Sequence, residues 1–284
     1  MSTGQTEPRT RRTREKPRGT LAALTLHTLR LQRRSVLIWG SVLGAFSLLA
    51  LVAFPAFQDQ PQINELVESY PPELRELFGI GSGTDLTTIE GFLQSQVFAF
   101  IAPLALSFFP ILAAAGAIAG AEERGTLDVL LGNPVPRWQL VAASSAATAV
   151  SLLGILAVLW LLTWVPAVLL DIDLAPGTAA GAVLNLWPLC LFFGGLAMLC
   201  SAVFHRRVLA VAIPGAVLVA MYFVDSLGSL VEAFESVQPL SVFYHYGSAI
   251  EDGIDPASFA GVSGAAVVLV ALAALVFSRR DIYT

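Results

Sequence analysis

The sequence predicts an all-α, polytopic membrane protein, and three observations predict it. Six apolar stretches, at 36–57, 97–120, 140–170, 179–204, 208–224 and 259–277 of the 284 residues, are each long enough to cross a bilayer. A helix needs roughly 20 apolar residues for this, at about 1.5 Å per residue, and a soluble core hides one or two such runs rather than six. The mean hydropathy is +0.73, with only 13% charged residues. Finally, when six spans are threaded, all of the 16 Lys and Arg residues except Arg75 fall on one side.

The charge asymmetry sets the orientation. One side carries the basic residues of the first 34 positions together with Arg124, Arg137, Arg206, Arg207, Arg279 and Arg280. Positively charged segments stay in the cytoplasm. Both termini are therefore expected there, with the protein in the plasma (inner) membrane. The opposite segments are acidic, with Asp59, Glu65, Glu68, Asp171, Asp173, Glu251 and Asp255 among them. The formal charge of −5 hides this division and gives no reason to expect a nucleic-acid partner.

Residues 1–19 are polar, basic and rich in Pro, Thr and Arg, and read as a disordered tail. Its arginines either attract anionic lipid headgroups or act as a topology-setting charge block. Residues 20–34 repeat Leu21, Leu24, Leu26/His27 and Leu31 at helical spacing, with Arg30, Arg33 and Arg34 near the end. They predict an amphipathic helix lying at the cytoplasmic interface. Residues 35–284 then form one six-helix transmembrane domain. No signal-peptide core precedes span one, which is expected to remain in the protein.

Gly40/Gly44 in span one and Gly116/Gly120 in span two offer small faces for close helix approach. Between them, the outer segment 58–96 reads as soluble. It has two short amphipathic pieces split at Tyr70-Pro71-Pro72 and a glycine-broken stretch at Gly79, Gly81 and Gly83. Pro103, Pro110, Pro166, Pro188 and Pro214 lie within spans and mark either bends or packing sites. Cys190 and Cys200 share span four, about 15 Å apart along a helix, which is too far for a disulfide. The outer segment 226–258 carries an apolar stripe (Leu227, Leu230, Val231, Phe234) and an aromatic stretch (Leu240, Val242, Phe243, Tyr244, Tyr246). It reads as re-entrant, or as aromatics resting at headgroup level.

The inner loop 121–139 is the most informative segment. Thr126 is placed to cap a short helix, Asp128 suits the positive end of its dipole, and Gly132-Asn133-Pro134 ends it. Leu127, Leu130 and Leu131 give that helix an apolar face. It needs a protein partner or the membrane surface to cover it.

Glu122-Glu123-Arg124-Gly125-Thr126-Leu127-Asp128-Val129-Leu130-Leu131, followed by Pro134-Val135-Pro136-Arg137-Trp138-Gln139-Leu140-Val141, resembles the cytoplasmic loop of type-2 ATP-binding-cassette (ABC) transporter permeases. The six-span layout, the basic N-terminal helix, the aromatic run at 239–246 and the terminal Phe277-Ser278-Arg279-Arg280-Asp281 resemble that family too. Pro136, where the family has Ser or Thr, and Ser144, where it often has Lys, depart from the pattern. The resemblance implies a permease of exporter type and a coupling helix seated on an ATPase. Glu122, Glu123, Arg124, Gly125, Thr126, Leu127, Asp128, Leu130 and Leu131 would form that contact. It also implies a second permease copy, with homodimer the expected form, and two ABC ATPase subunits that hold ATP and Mg. This chain has no Gly-x-x-x-x-Gly-Lys-Ser/Thr stretch to bind a cofactor itself. Separate polypeptides for the two functions point to a prokaryote.

A membrane-embedded enzyme is the chief rival, but no residue here is assigned to catalysis or metal binding. His27, His205 and His245 sit near span ends, and Ser107, Thr148 and Ser151 have no base near them in sequence. An ion-coupled carrier is disfavoured by spans whose middles hold no Asp, Glu, Lys or Arg, with Asp225 at an outer end. Nearly uncharged spans predict an apolar or amphiphilic cargo, and the family resemblance implies export of a drug or lipid-like compound. Phe100, Phe108, Phe109, Asn185, Phe192, Phe193 and Met198 are the candidates to line its pathway. Membrane lipids are the remaining expected partner.

Overall fold

No proline interrupts the chain between Thr20 and Phe54, and the polar residues Arg30, Gln32, Arg33, Arg34 and Ser35 are tolerated inside helices. In the computed structural model this stretch is accordingly one unbroken helix, α1 (Thr20–Ala53). The structure describes residues 20–58, 60, 62–71, 74–75, 84–126, 136–228 and 236–280. The boundary expected at residue 35, separating an interfacial helix from span one, is therefore absent. At 34 residues, α1 is about 51 Å long against about 30 Å of hydrocarbon, so its basic third extends past the bilayer core.

Beyond α1 come the short helices α2 (Pro55–Gln58), α3 (Gln62–Glu68) and α4 (Ile89–Leu93), then a π-helical turn (Gln94–Phe98). The long helix α5 (Ile101–Ala117) and the short α6 (Ala119–Glu123) follow. The chain continues with α7 (Arg137–Leu169), α8 (Pro176–Val203) and α9 (Arg207–Gly228). A 3-10 turn (Gln238–Leu240), α10 (Val242–Tyr246) and α11 (Pro256–Arg279) complete it. The described residues contain no strand. Among the described residues five helices are long and apolar enough to cross a membrane, and six spans result when α4 with its π-turn is joined to α5 across a 40° bend.

That bend has a local cause. Pro103 lacks the N–H that would reach Ala99, and its ring clashes with the carbonyl four residues back, so the helix restarts at Ile101. The approach to it corrects the reading of 58–96 as wholly soluble. Thr88 caps α4 by accepting from the Gly91 amide at 3.2 Å, and Ile89, Phe92, Leu93, Gln94 and Ser95 are buried. Phe92 packs between Phe54 and Phe57, with ring centroids 5.6 and 5.0 Å away. Gly79, Gly81, Gly83 and Pro72 lie outside the described residues.

Helices α1 and α7 run side by side in the same direction. Gln32 donates to Thr148 Oγ1 at 3.2 Å and accepts from Ser151 at 2.7 Å; nearer the other end, Ser47 and Thr163 share a 2.7 Å hydrogen bond. Between these polar contacts the helices touch through glycine. A Cβ on Gly40 would stand 2.8 Å from Val158 Cβ, and one on Gly44 2.6 Å from Leu162 Cβ. The Gly40/Gly44 face thus serves close approach within the chain. Among the described residues of this chain the Gly116/Gly120 face meets no helix as closely: nothing lies within 4 Å of a Cβ at Gly116, and at Gly120 the nearest neighbour is the Arg207 side chain.

Helix α8 is the centre of the bundle, with 67% of its most apolar window buried against 11–33% for the other single-helix spans. It packs on α5, α7, α9 and α11. Apolar side chains that turn outward, such as Leu37, Ile38 and Val42 on α1 and Val267 and Val268 on α11, are exposed, as a lipid-facing surface requires.

Candidate functional site

Arg124, Arg137, Arg206, Arg207, Arg279 and Arg280 gather at one end of the bundle, called here the basic end, where the loop 121–139 leaves and re-enters. Helix α5 breaks at Ile118, and Ser201 of α8 spans the break: its hydroxyl donates to Ala115 O at 3.5 Å and accepts from Ala119 N at 2.9 Å. Backbone groups freed by the break are thereby satisfied inside the bundle.

The short α6 then stops on glycine. Gly125 has φ +65°, its amide donates to Glu122 O at 2.9 Å, and the Thr126 amide donates to Ala121 O at 2.9 Å. This pair of bonds around a left-handed residue closes a helix C-terminus. The Thr126 hydroxyl also donates back to Ala121 O, at 3.1 Å. Thr126 thus closes α6; the helix that its sequence context predicts after it lies outside the described residues. Leu127, Asp128, Leu130 and Leu131 lie outside the described residues.

Glu122 is the hub of the site. Both of its carboxylate oxygens accept from Arg280 Nη2 at 2.9 Å, and His205 Nε2 stands 3.8 Å away. Arg280, just past α11, also donates to Ala202 O at 3.2 Å, a carbonyl in the last turn of α8, where a cation complements the helix dipole. Arg137 at the start of α7 donates to the Arg280 carbonyl and lies over the Phe277 ring, 5.8 Å from its centroid. Glu123 accepts from the Arg207 backbone amide at 2.8 Å, placing a carboxylate at the positive end of α9. Arg124 reaches back to Gly116 O at 3.3 Å.

The loop's two described flanks are thus tied to the ends of α8, α9 and α11. Glu122, Glu123 and Arg124, expected as ATPase contacts, have partners within the chain. Sequence reasoning took Arg207 as a topology charge, Arg137 and Arg280 as topology charges and motif residues, and His205 as a histidine near a span end; it paired none of them with the loop and gave Ser201 no role. The terminal arginine pair was visible in the sequence, but nothing local pairs it with Glu122.

The pathway candidates do not form one lining. Phe109, Phe193 and Met198 are buried inside the chain, while Phe100 is 40% exposed. Phe100, Phe193 and Phe192 belong to an aromatic chain that runs Phe100–Tyr222–Phe243–Phe193–Phe192, with centroids 5.3–6.2 Å apart. Phe108 lies instead toward α9, 3.6 Å from where a Cβ on Gly215 would stand. Asn185 is buried and donates to Tyr246 O at 2.6 Å; it acts as an interhelical tie. The segment 239–246 accordingly folds into the bundle, with Val242 and Phe243 buried and Tyr246 OH donating to Phe98 O at 3.0 Å. Leu240 and Tyr244 are exposed. Leu230, Val231 and Phe234 lie outside the described residues.

Residues 22–282 match the family described as ABC-2 family transporter protein, and the chain belongs to that family. No curated protein matches it.

Proposed function

We propose that this chain is the membrane-spanning permease subunit of an ABC exporter, moving an apolar or amphiphilic compound with energy from a separate ATPase. Membership in the ABC-2 family implies an ATPase partner in general. The proposal adds a homodimer of permeases over two ATPase subunits, which bind ATP and Mg, and places both termini and the loop 121–139 in the cytoplasm of a prokaryote's inner membrane. Membrane lipids surround the spans.

One observation carries the reading. The ends of the loop are fastened to the ends of α9 and α11 through Glu123–Arg207, Glu122–Arg280 and Arg137–Arg280, and through Arg280–Ala202 to the end of α8. A push delivered to residues 124–136 would reach several spans at once, as coupling to an ATPase requires. Glu122 and Glu123 then act as the transmission behind the contact, and the leucines of 127–131 act as the contact.

Leu130→Asp tests this. Burying a leucine is worth roughly 1.5–3 kcal/mol, so a charge there should weaken ATPase docking at least about tenfold, with insertion into the membrane retained. The readouts are pulldown of the ATPase and efflux from cells. Wild-type behaviour in both sinks the coupling assignment.

A further inference from the structure

A cavity of about 260 Å³ opens between α5, α7, α8 and α11, and no residue of the basic-end cluster or of the aromatic chain lines it. Pro110, Trp187, Met198 and Val270 form much of its wall, and no charged residue lines it. Two serines, Ser145 on α7 and Ser263 on α11, face it from opposite helices. Their hydroxyl oxygens are shielded from solvent and have no hydrogen-bond partner among the described residues.

This is unusual within the chain itself. Several other helical hydroxyls donate to the carbonyl four residues back: Ser107 to Pro103 at 2.7 Å, Thr163 to Leu159 at 2.9 Å, Ser278 to Ala274 at 2.6 Å. That local bond is the ordinary way to satisfy a serine in an apolar helix. The other polar groups around the cavity are also engaged. Thr148 accepts from Gln32, and Trp187 Nε1 donates to Ala149 O at 3.3 Å. Buried polar groups without a partner in an apolar wall call for one from a ligand.

We infer that this cavity binds a neutral amphiphile, a molecule with an apolar body and one hydroxyl or carbonyl group held by Ser145 and Ser263. A charged headgroup is disfavoured, because nothing in the lining compensates it. Exposed Ala146 and Val267 lie at the rim, between α7 and α11, so entry is sideways from the surrounding hydrocarbon. The inference narrows the cargo class proposed above and rests on that reading only for its use in transport. Binding to the isolated full chain stands or falls separately.

The test uses the purified full chain without ATPase and two photoactivatable probes, a diazirine-bearing octan-1-ol and the matching octane without the hydroxyl. The alcohol should label the cavity helices saturably. Ser145→Ala with Ser263→Ala should weaken its half-saturation about tenfold or more, taking a few-fold per hydroxyl, and leave the octane unchanged. Ala146→Trp at the exposed rim should block both probes. Both substitutions suit a helix, and melting curves confirm that each variant is folded. Equal labelling by the two probes, indifferent to the serines, would overturn the inference in favour of a nonspecific apolar cleft. Labelling that survives Ala146→Trp would overturn it by placing the probe elsewhere.

Discussion

Glu122 and Arg280, 158 residues apart in the chain, meet in a two-pronged ion pair with both N–O distances at 2.9 Å. The Arg280 side chain is 11% exposed and that of Glu122 23%, so water screens the pair only partly. It joins the helix that opens the inner loop to the end of the last span. Arg280 also holds Ala202 and receives Arg137, so one guanidinium and its carbonyl connect four helix ends.

Arg280→Gln should therefore cost more than an ordinary surface charge. Removing the guanidinium leaves the partly buried Glu122 with His205, 3.8 Å away, as its remaining basic neighbour among the described residues, at a cost of about 1–3 kcal/mol. Thermal unfolding of the purified protein should show it, and efflux should fall with the ATPase still bound. The reversed pair, Glu122→Arg with Arg280→Glu, should recover part of the stability. A double-mutant cycle with no coupling energy would show that the pair is incidental.

The α1–α7 seam makes a second prediction. Gly44→Val must push its Cβ into Leu162 and should cost about 1–3 kcal/mol as overpacking, outweighing the better helix propensity of a side chain. Gly116→Ala is the control. With open space at that position it should be neutral or slightly stabilising. Melting temperatures of the two variants decide the matter, and equal values would contradict the tight register seen between Gly44 and Leu162.

The spans were legible in the sequence because their length and composition are set by the bilayer, and α7, α8 and α11 begin and end within three residues of the apolar runs at 140–170, 179–204 and 259–277. Other features were not. Gln94 and Ser95 read as the polar end of an outer loop, yet both are buried, because the π-turn carries them into the bundle before Pro103 forces the bend. Continuity of α1 past Arg34 was hidden by its change from amphipathic to wholly apolar patterning, which alters what the helix touches and not whether it is a helix. At the site, Glu122 stood out through the motif around it. Its partner did not, since ion pairs between distant segments leave no local periodicity.

Orientation is open to direct labelling. Asp173 and Arg206 are exposed at opposite ends of the bundle, and the natural Cys190 and Cys200 are buried and silent. Asp173→Cys should react with a membrane-impermeant maleimide in intact cells, and Arg206→Cys only after permeabilisation. The opposite pattern would invert the topology and put the loop 121–139 on the wrong side for an ATPase.

Tyr246 is expected to hold the folded-in segment 239–246 in place. Its hydroxyl donates to Phe98 O, in the stretch leading to the bend, while its own carbonyl receives the Asn185 amide. The residue thus links the π-turn, α10 and the central α8. Tyr246→Phe removes one bond and leaves the ring, so a loss of about 0.5–1.5 kcal/mol is expected. Asn185→Leu removes the other bond and should cost at least as much, because the Tyr246 carbonyl is left without its donor. If the two bonds fasten one segment, the double variant should cost less than the sum, since the second bond has less to hold once the first is gone. Strict additivity in chemical or thermal unfolding would mean the two ties act independently. Protection of the 239–246 amides from hydrogen exchange should fall in either single variant, and unchanged protection would show that Val242 and Phe243 alone keep the segment folded in.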